Sequence, residues 1–398
     1  MRIVTLAERE KQMPLLLIIG IICSILLLSE PIFFGLSSAS MAAATTTIPI
    51  AESETKNPIY MISTRGNTTY HQEVNSSGYN NKYLFSNLTS LFELCPPEVA
   101  VFIHGWGNDE TLAKERLDRV RLSLEKNNYT YPLIGLSWAS DNLWETARAI
   151  AKENGPKLAD FILDLKDKCQ DVKVRLVAHS LGARVALSSL DSLHRNSTWN
   201  NGNFTLASVH LLAAAVDNEE MSKDPTDIVA DPTNAYSVKS AYGEAIEEEV
   251  VRFYNLRSSE DNVLEMYPFR PFDFAYKIYP LFEGDFALGQ DGYQSSPNIT
   301  LPENYKEQDI KDQIKDIHDA DKIEGDDFGL CSKYPNIYTY CQIKEEGWDF
   351  GLCNSLGFCR VNTGDNHAGY IGFRNLTNTS LLADDGAIDM VVAQWNSE

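Results

Sequence analysis

The stretch that most narrows what this chain can fold into is 172–187, VKVRLVAHSLGARVAL. Val172, Val174, Leu176 and Val177 form a short, mostly β-branched apolar run. It stops at Ala178-His179-Ser180-Leu181-Gly182, after which helical spacing continues to about His194. Strand, tight turn with a serine at its tip, helix: in this layout small flanking residues let the serine adopt a strained backbone. The first small position is Ala178, one methyl larger than glycine. The same string also fits an ordinary strand-to-helix turn, so the rest of the chain has to decide.

That rest repeats the alternation. Strands are expected at 58–64, at 98–103 (EVAVFI) running straight into His104-Gly105-Trp106-Gly107, and at 131–138. Two more fall at 206–216, ending at Asp217, and at 250–257, followed by Ser258-Ser259-Glu260-Asp261. Helical spacing covers 109–126 and 142–167, the latter punctured by Gly155-Pro156. Strands hydrophobic on both faces and alternating with helices imply an α/β fold, a mostly parallel sheet covered on each side. In such sheets chemistry sits at the carboxyl ends of the strands. His104, Ser180, Asp217 and Asp261 all fall there.

The spacing divides the chain into a leader (1–45), a core (46–264), a cysteine-containing insertion (265–360) and a closing segment (361–398) that returns to the core. The insertion opens with seven aromatics between Tyr267 and Phe282, which would either roof a pocket as a lid does or form the insertion's own small core. Asp327-Phe-Gly-Leu-Cys331 recurs as Asp349-Phe-Gly-Leu-Cys353, the pattern of a small two-finger disulfide module. Apolar spacing over 378–395 predicts a terminal helix. Acidic residues at 312–327 invite a calcium reading, but Ile323 stands where an oxygen ligand belongs and Gly325 falls one place late. No metal and no cofactor is expected.

The leader has Arg9 and Lys11 ahead of an uncharged run from Pro14 to Leu28, then Ile32 to Leu36 and small residues. These are the parts of a secretory signal, and 14–36 together would also suffice for an N-terminal membrane anchor. Either way the body is expected outside the cell, secreted or held on the outer face of the membrane. Nine Asn-x-Ser/Thr sequons, at Asn67, Asn75, Asn87, Asn128, Asn196, Asn203, Asn298, Asn375 and Asn378, agree with an exported glycoprotein. So does the even set of cysteines left when Cys23 of the leader is set aside. Sequence does not choose among the 15 pairings of six cysteines, although Cys331 to Cys359 lie close enough to pair among themselves. A formal net charge of −22 argues against nucleic-acid partners and against docking on anionic membranes.

Strand–His-Gly-Trp-Gly, strand–Ala-His-Ser-Leu-Gly-Ala and a following Asp and His together resemble an α/β-hydrolase of the esterase/lipase kind, over roughly 58–264 and the region around His367. The resemblance implies a serine hydrolase with its triad in the chain order nucleophile, acid, histidine. Ser180 would attack, with backbone N–H groups of Leu181 and Trp106 stabilising the oxyanion. His104, Gly105 and Gly182 would support that loop, and His179 reads as packing. Asp261 is the implied acid, with Asp217 as the alternative and Glu260 behind it. Only His318 and His367 follow the acid; His318 sits among aspartates, whereas His367 lies in a Gly-Asp-Asn-His-Ala-Gly loop before the terminal apolar elements. His367 is therefore the implied base. The expected substrate is ester-type, lipids included. The competing class is a non-catalytic extracellular binding or adhesion ectodomain that keeps the same fold.

Overall fold

The computed structural model describes residues 58–65, 88–142, 144–228, 239–261, 263–264, 286–293, 300–314, 367–374 and 382–397. Seven strands form one sheet: β1 (Ile59–Ser63), β2 (Glu98–Ile103), β3 (Leu133–Ser137), β4 (Lys173–His179), β5 (Leu206–Leu212), β6 (Val250–Arg257) and β7 (Tyr305–Asp309). Their order is β1-β3-β2-β4-β5-β6-β7, with every neighbouring pair parallel. The expected parallel α/β sheet is present. All six residues of β2 and all five of β3 are buried, as a sheet covered on both faces requires.

Six helices matter for the site: α1 (Leu88–Leu94), α2 (Glu110–Lys126), α3 (Trp144–Lys168), α4 (Gly182–His194), α5 (Gly243–Glu249) and α6 (Ile388–Asn396). From β2 the chain steps through α2 to β3 in one direction along the sheet, then through α3 to β4 in the other. Right-handed crossovers taken in opposite directions put their helices on opposite faces. The packing agrees: α6 lies on α2, whereas α3 packs on α4 and α4 on α5. The reversal leaves β2 and β4 as neighbours whose outgoing loops diverge, and a crevice at the carboxyl edge forms at such a point. His104 and Ser180 leave the sheet side by side there, since Ile103 pairs with Ala178.

Several local features differ from expectation. The terminal helix expected over 378–395 is confined to α6, and Leu382–Asp384 ahead of it is extended and pairs antiparallel with Phe373–Arg374. The strand expected over 206–216 ends at Leu212. α3 runs without a break through Pro156. Proline cannot donate to the carbonyl four residues back, which is Lys152, and the Ser188 hydroxyl of α4 donates to that oxygen instead at 2.7 Å. A Cβ at Gly155 would lie 2.4 Å from that of Ser188, so the glycine allows the two helices to approach this closely. A further difference is β7. Residues 305–309, divided by sequence into the insertion, extend the main sheet at its edge beside β6.

Arg175, pointing out of β4, is buried and would be costly without partners. It is paired with Glu98 at 2.9 Å, donates to Ser208, and lies over the Trp395 ring of α6. Cys95, just past α1, is joined to Cys169, just past α3, which settles one of the open cysteine pairings. Cys331 to Cys359, His318, the aromatics at 267–282, the DFGLC repeats and the leader lie outside the described residues. Among the described residues no helix is long and apolar enough to cross a membrane.

Candidate active site

Ser180 follows the last residue of β4 with φ +54°, the left-handed region that a non-glycine residue enters only at a cost of about 1–3 kcal/mol. Hydrogen bonds hold it there. Its N–H donates to Leu212 O at 2.9 Å, and its carbonyl accepts from Ala183 N at 3.0 Å and Ala215 N at 3.1 Å. The close approach of β2 and the turn demands small residues. A Cβ on Gly182 would lie 2.5 Å from Ile103 O, and one on Gly105 would lie 2.6 Å from the Ser180 Cβ. Gly107 takes φ +74°. The two glycines of this loop thus serve different needs, contact at Gly105 and backbone handedness at Gly107.

The loop after β2 is held by polar groups from several segments. His104 Nδ1–H donates to Gly105 O at 2.9 Å, while its Nε2 accepts from Trp138 N at 3.3 Å. Burial, helped by the Arg65 charge, lowers its pKa to about 3, so the ring is neutral and its two nitrogens play opposite roles. Asn108 Nδ2–H₂ donates to Gly105 O and to Trp106 O, each at 2.9 Å. Asn108 is itself fixed by Ser140, and its carbonyl accepts from Arg65 at 2.7 Å. Because a peptide unit is planar and trans, pulling the Gly105 carbonyl towards Asn108 directs the Trp106 N–H to the opposite side. The Trp106 indole donates to Asn142 O at 2.8 Å and meets Trp144 edge-on. Leu181 N–H donates to no acceptor among the described residues.

The acid and histidine come from distant parts of the chain. His367 opens a short 3₁₀ segment, His367–Ile371, and its Nδ1 lies 2.8 Å from Asp261 Oδ2. Both side chains are buried. The other carboxylate oxygen of Asp261 accepts from Val263 N at 3.1 Å and Leu264 N at 2.9 Å, which fixes its orientation. A carboxylate oxygen accepts at this contact, so Nδ1 is the donor to Asp261 and Nε2 is the ring nitrogen on the other side of the imidazole. His179, bonded in the chain to Ser180, reaches His367 O with its Nε2 at 2.8 Å, and the two rings are 4.9 Å apart. His179 thereby links the serine turn to the Asp261–His367 pair.

Asp217 is placed elsewhere. Its carboxylate lies 3.2 Å from Arg184 and 3.5 Å from Arg148, in a buried cluster where Arg184 also makes two bonds to Glu220. These guanidinium groups hold the Asp217 pKa down despite burial. Glu260 is exposed and paired with Lys311 at 3.3 Å. Of the three carboxylates weighed from sequence, Asp261 is the one at hydrogen-bonding distance from His367. Sequence reading missed Asn108 and Arg65. The one signal was a polar side chain immediately after Gly105-Trp106-Gly107.

Among the described residues, one constellation has metal-ligand chemistry: His194, Glu248 and Glu249, with ligand atoms within 4.8 Å of one another. His194 ends α4, about 20 Å along the helix from the serine at a rise of roughly 1.5 Å per residue. Its Nδ1 lies 3.0 Å from Glu249 Oε1, at ordinary hydrogen-bonding distance.

A parallel sheet with a left-handed serine between β4 and α4 defines an α/β-hydrolase. Residues 88–302, more than half of the chain, match the family described as alpha/beta hydrolase of unknown function (DUF900), and the chain belongs to it. No curated protein sequence matches. Among solved structures it is similar to a lipase-esterase related protein from Clostridium acetobutylicum, at 11% identity, 62% coverage of this chain, 93% of that one and a TM-score of 0.30. It is also similar to the lin2722 product of Listeria innocua, at 12% identity, 40% and 69% coverage and a TM-score of 0.28. A third is phospholipase PlaB from Legionella pneumophila in complex with thio-NAD, at 12% identity, 42% and 39% coverage and a TM-score of 0.24.

Proposed function

We propose that this chain is a serine hydrolase that cleaves carboxylic esters through an acyl-enzyme on Ser180. The observation that carries the reading is the hydrogen-bonded chain Asp261–His367, tied through His179 to the turn that presents Ser180 in a left-handed conformation. Ser180 Oγ attacks the ester carbonyl carbon while its proton passes to His367 Nε2. Asp261 stabilises the imidazolium. Charge on the carbonyl oxygen is met by the N–H groups of Trp106 and Leu181. Collapse expels the alcohol, which takes the proton from His367; water then attacks the acyl-enzyme with His367 again as base, and the acyl–Oγ bond breaks to release the acid as that proton returns to Ser180.

Substrates are ester-type, with lipids among those to be tried. We also propose an exported, glycosylated protein, cleaved from its leader or anchored by it. The leader and sequons support this, as does the Cys95–Cys169 disulfide, a bond that persists in oxidising compartments. Asn128 and Asn203 are exposed, so glycans at both would be removable by peptide N-glycosidase.

A fluorophosphonate probe tests the enzyme reading. The expected result is one covalent label on Ser180, lost in Ser180→Ala and mostly lost in His367→Ala. A folded protein that takes no label, or takes it elsewhere, overturns the reading in favour of a non-catalytic binding ectodomain. Hydrolysis of p-nitrophenyl esters of graded chain length then reports the acyl preference.

A further inference from the structure

We propose that His179 is a positioning residue, whose Nε2–H seats the segment carrying His367 against the nucleophile turn. This rests on the triad assignment above and adds a role that packing alone does not supply. A carbonyl oxygen only accepts, so at the 2.8 Å contact with His367 O the proton must be on His179 Nε2. His179 is the last residue of β4, paired in register with Leu212 of β5, and therefore moves with the sheet. One rigid strand end thus carries both the nucleophile, as the next residue, and the group that holds the histidine backbone.

The far end of the 3₁₀ segment is held separately. Tyr370 O accepts from Ala387 N at 2.9 Å, and Ile371 O from the Ser123 hydroxyl at 3.4 Å. Those bonds set the height of the segment over α2 and α6. The bond at His367 itself refers the segment to the serine.

Electrostatics point the same way. Burial, reinforced by the neighbouring His367 and Arg116, keeps the His179 pKa well below its ordinary value, so the ring is neutral at physiological pH. A neutral ring 4.9 Å from His367 adds no positive charge next to the imidazolium that forms when Ser180 gives up its proton. Histidine thereby supplies a donor in a flat, buried shape without opposing the charge on the base. Lysine or arginine would supply the donor and oppose that charge.

The test compares His179→Leu, which lacks a donor, with His179→Gln, which keeps an N–H on a side chain of similar reach. His179→Met serves as the donor-free variant should the leucine protein not fold. Each is measured for melting temperature, fluorophosphonate labelling rate, and kcat and KM on a p-nitrophenyl ester. Displacing a base by about 1 Å costs on the order of 10²-fold in rate. The donor-free protein is expected to fold and to keep KM while kcat and labelling fall by about that factor, with most of the loss restored in His179→Gln. Wild-type rates in the donor-free protein, or equal losses in the glutamine and leucine variants, overturn the proposal. If wild-type protein takes no label at Ser180, the triad assignment fails first, and that outcome is distinct from both.

Discussion

The two sides of Ser180 are held in contrasting ways. On the proposed oxyanion side, the loop after β2, Gly105 O alone accepts from both His104 and Asn108, and Asn108 is fixed in turn by Ser140 and Arg65. All these residues lie between positions 65 and 140. On the histidine side, His367 and Asp261 are 106 positions apart, and His179, next to the serine, bonds the first carbonyl of the segment. The first side is over-determined by several polar contacts that converge on one loop, so removing one leaves others in place. The second is assembled by long-range contacts that each do a separate job, so any one removed is felt in full.

The largest expected effect follows from that asymmetry. Asp261→Asn preserves shape but offers a donor to Nδ1, which favours the wrong imidazole tautomer. A fall in kcat of about 10³–10⁴-fold with a melting temperature near that of wild type is expected. A fall under tenfold would show that the histidine side has a second support.

Next comes pH, which reaches the oxyanion side through His104. This histidine and His210, which bonds Gln394, are both held to about 3. A histidine whose folded pKa lies below its unfolded value near 6.5 costs nothing above that value. Below it, the unfolded chain takes up a proton that the folded one refuses. Stability is therefore complete above about pH 6.5 and is lost as pH falls towards 3, by about 1.4 kcal/mol per pH unit for each group. Urea unfolding at pH 5.5 and 4.5 measures the slope. His210→Gln, whose partner Gln394 lies on α6 away from the serine turn, should remove one such increment and leave labelling at pH 7 intact.

Asn108→Ala takes one of the two donors from Gly105 O. Because His104 remains, kcat is expected to fall by roughly 10–100-fold, less than for loss of an oxyanion donor outright, with little change in KM. A loss as large as that of Asp261→Asn would erase the contrast between the two sides. The smallest effect belongs to the rim. Asp385 accepts from Lys126 and Asn127 at 2.9 and 2.8 Å, and the lysine is half exposed. Asp385→Ala should cost under about 1 kcal/mol in thermal unfolding and leave kcat within roughly twofold.

What could be read from sequence follows the same division. The serine turn was legible because it couples a strand period to a helix period around small residues. The pairing of Asp261 with His367 was legible only through chain order, which sorts candidates by sequence position and needs no geometry. Asn108 and Arg65 were not, since a single polar residue in a loop has no periodicity to mark it. β7 was hidden because YKEQD lies at the sheet edge, mostly exposed, and shows no apolar alternation. Pro156 reads as a helix breaker until Ser188, from another helix, is seen to occupy the freed carbonyl. The Cys95–Cys169 pairing depends on α1 and α3 ending beside each other, which neither segment reveals alone.

The central claim is that three side chains far apart in the chain act together at one edge of the sheet. Its most direct test is a crystal structure of the protein after reaction with a fluorophosphonate. The account predicts phosphorus bonded to Ser180 Oγ, the phosphoryl oxygen within about 3 Å of the Trp106 and Leu181 N–H groups, and His367 Nε2 within similar reach of Oγ. An adduct on another residue, or one on Ser180 with the His367 ring turned away and the phosphoryl oxygen facing solvent, would contradict it.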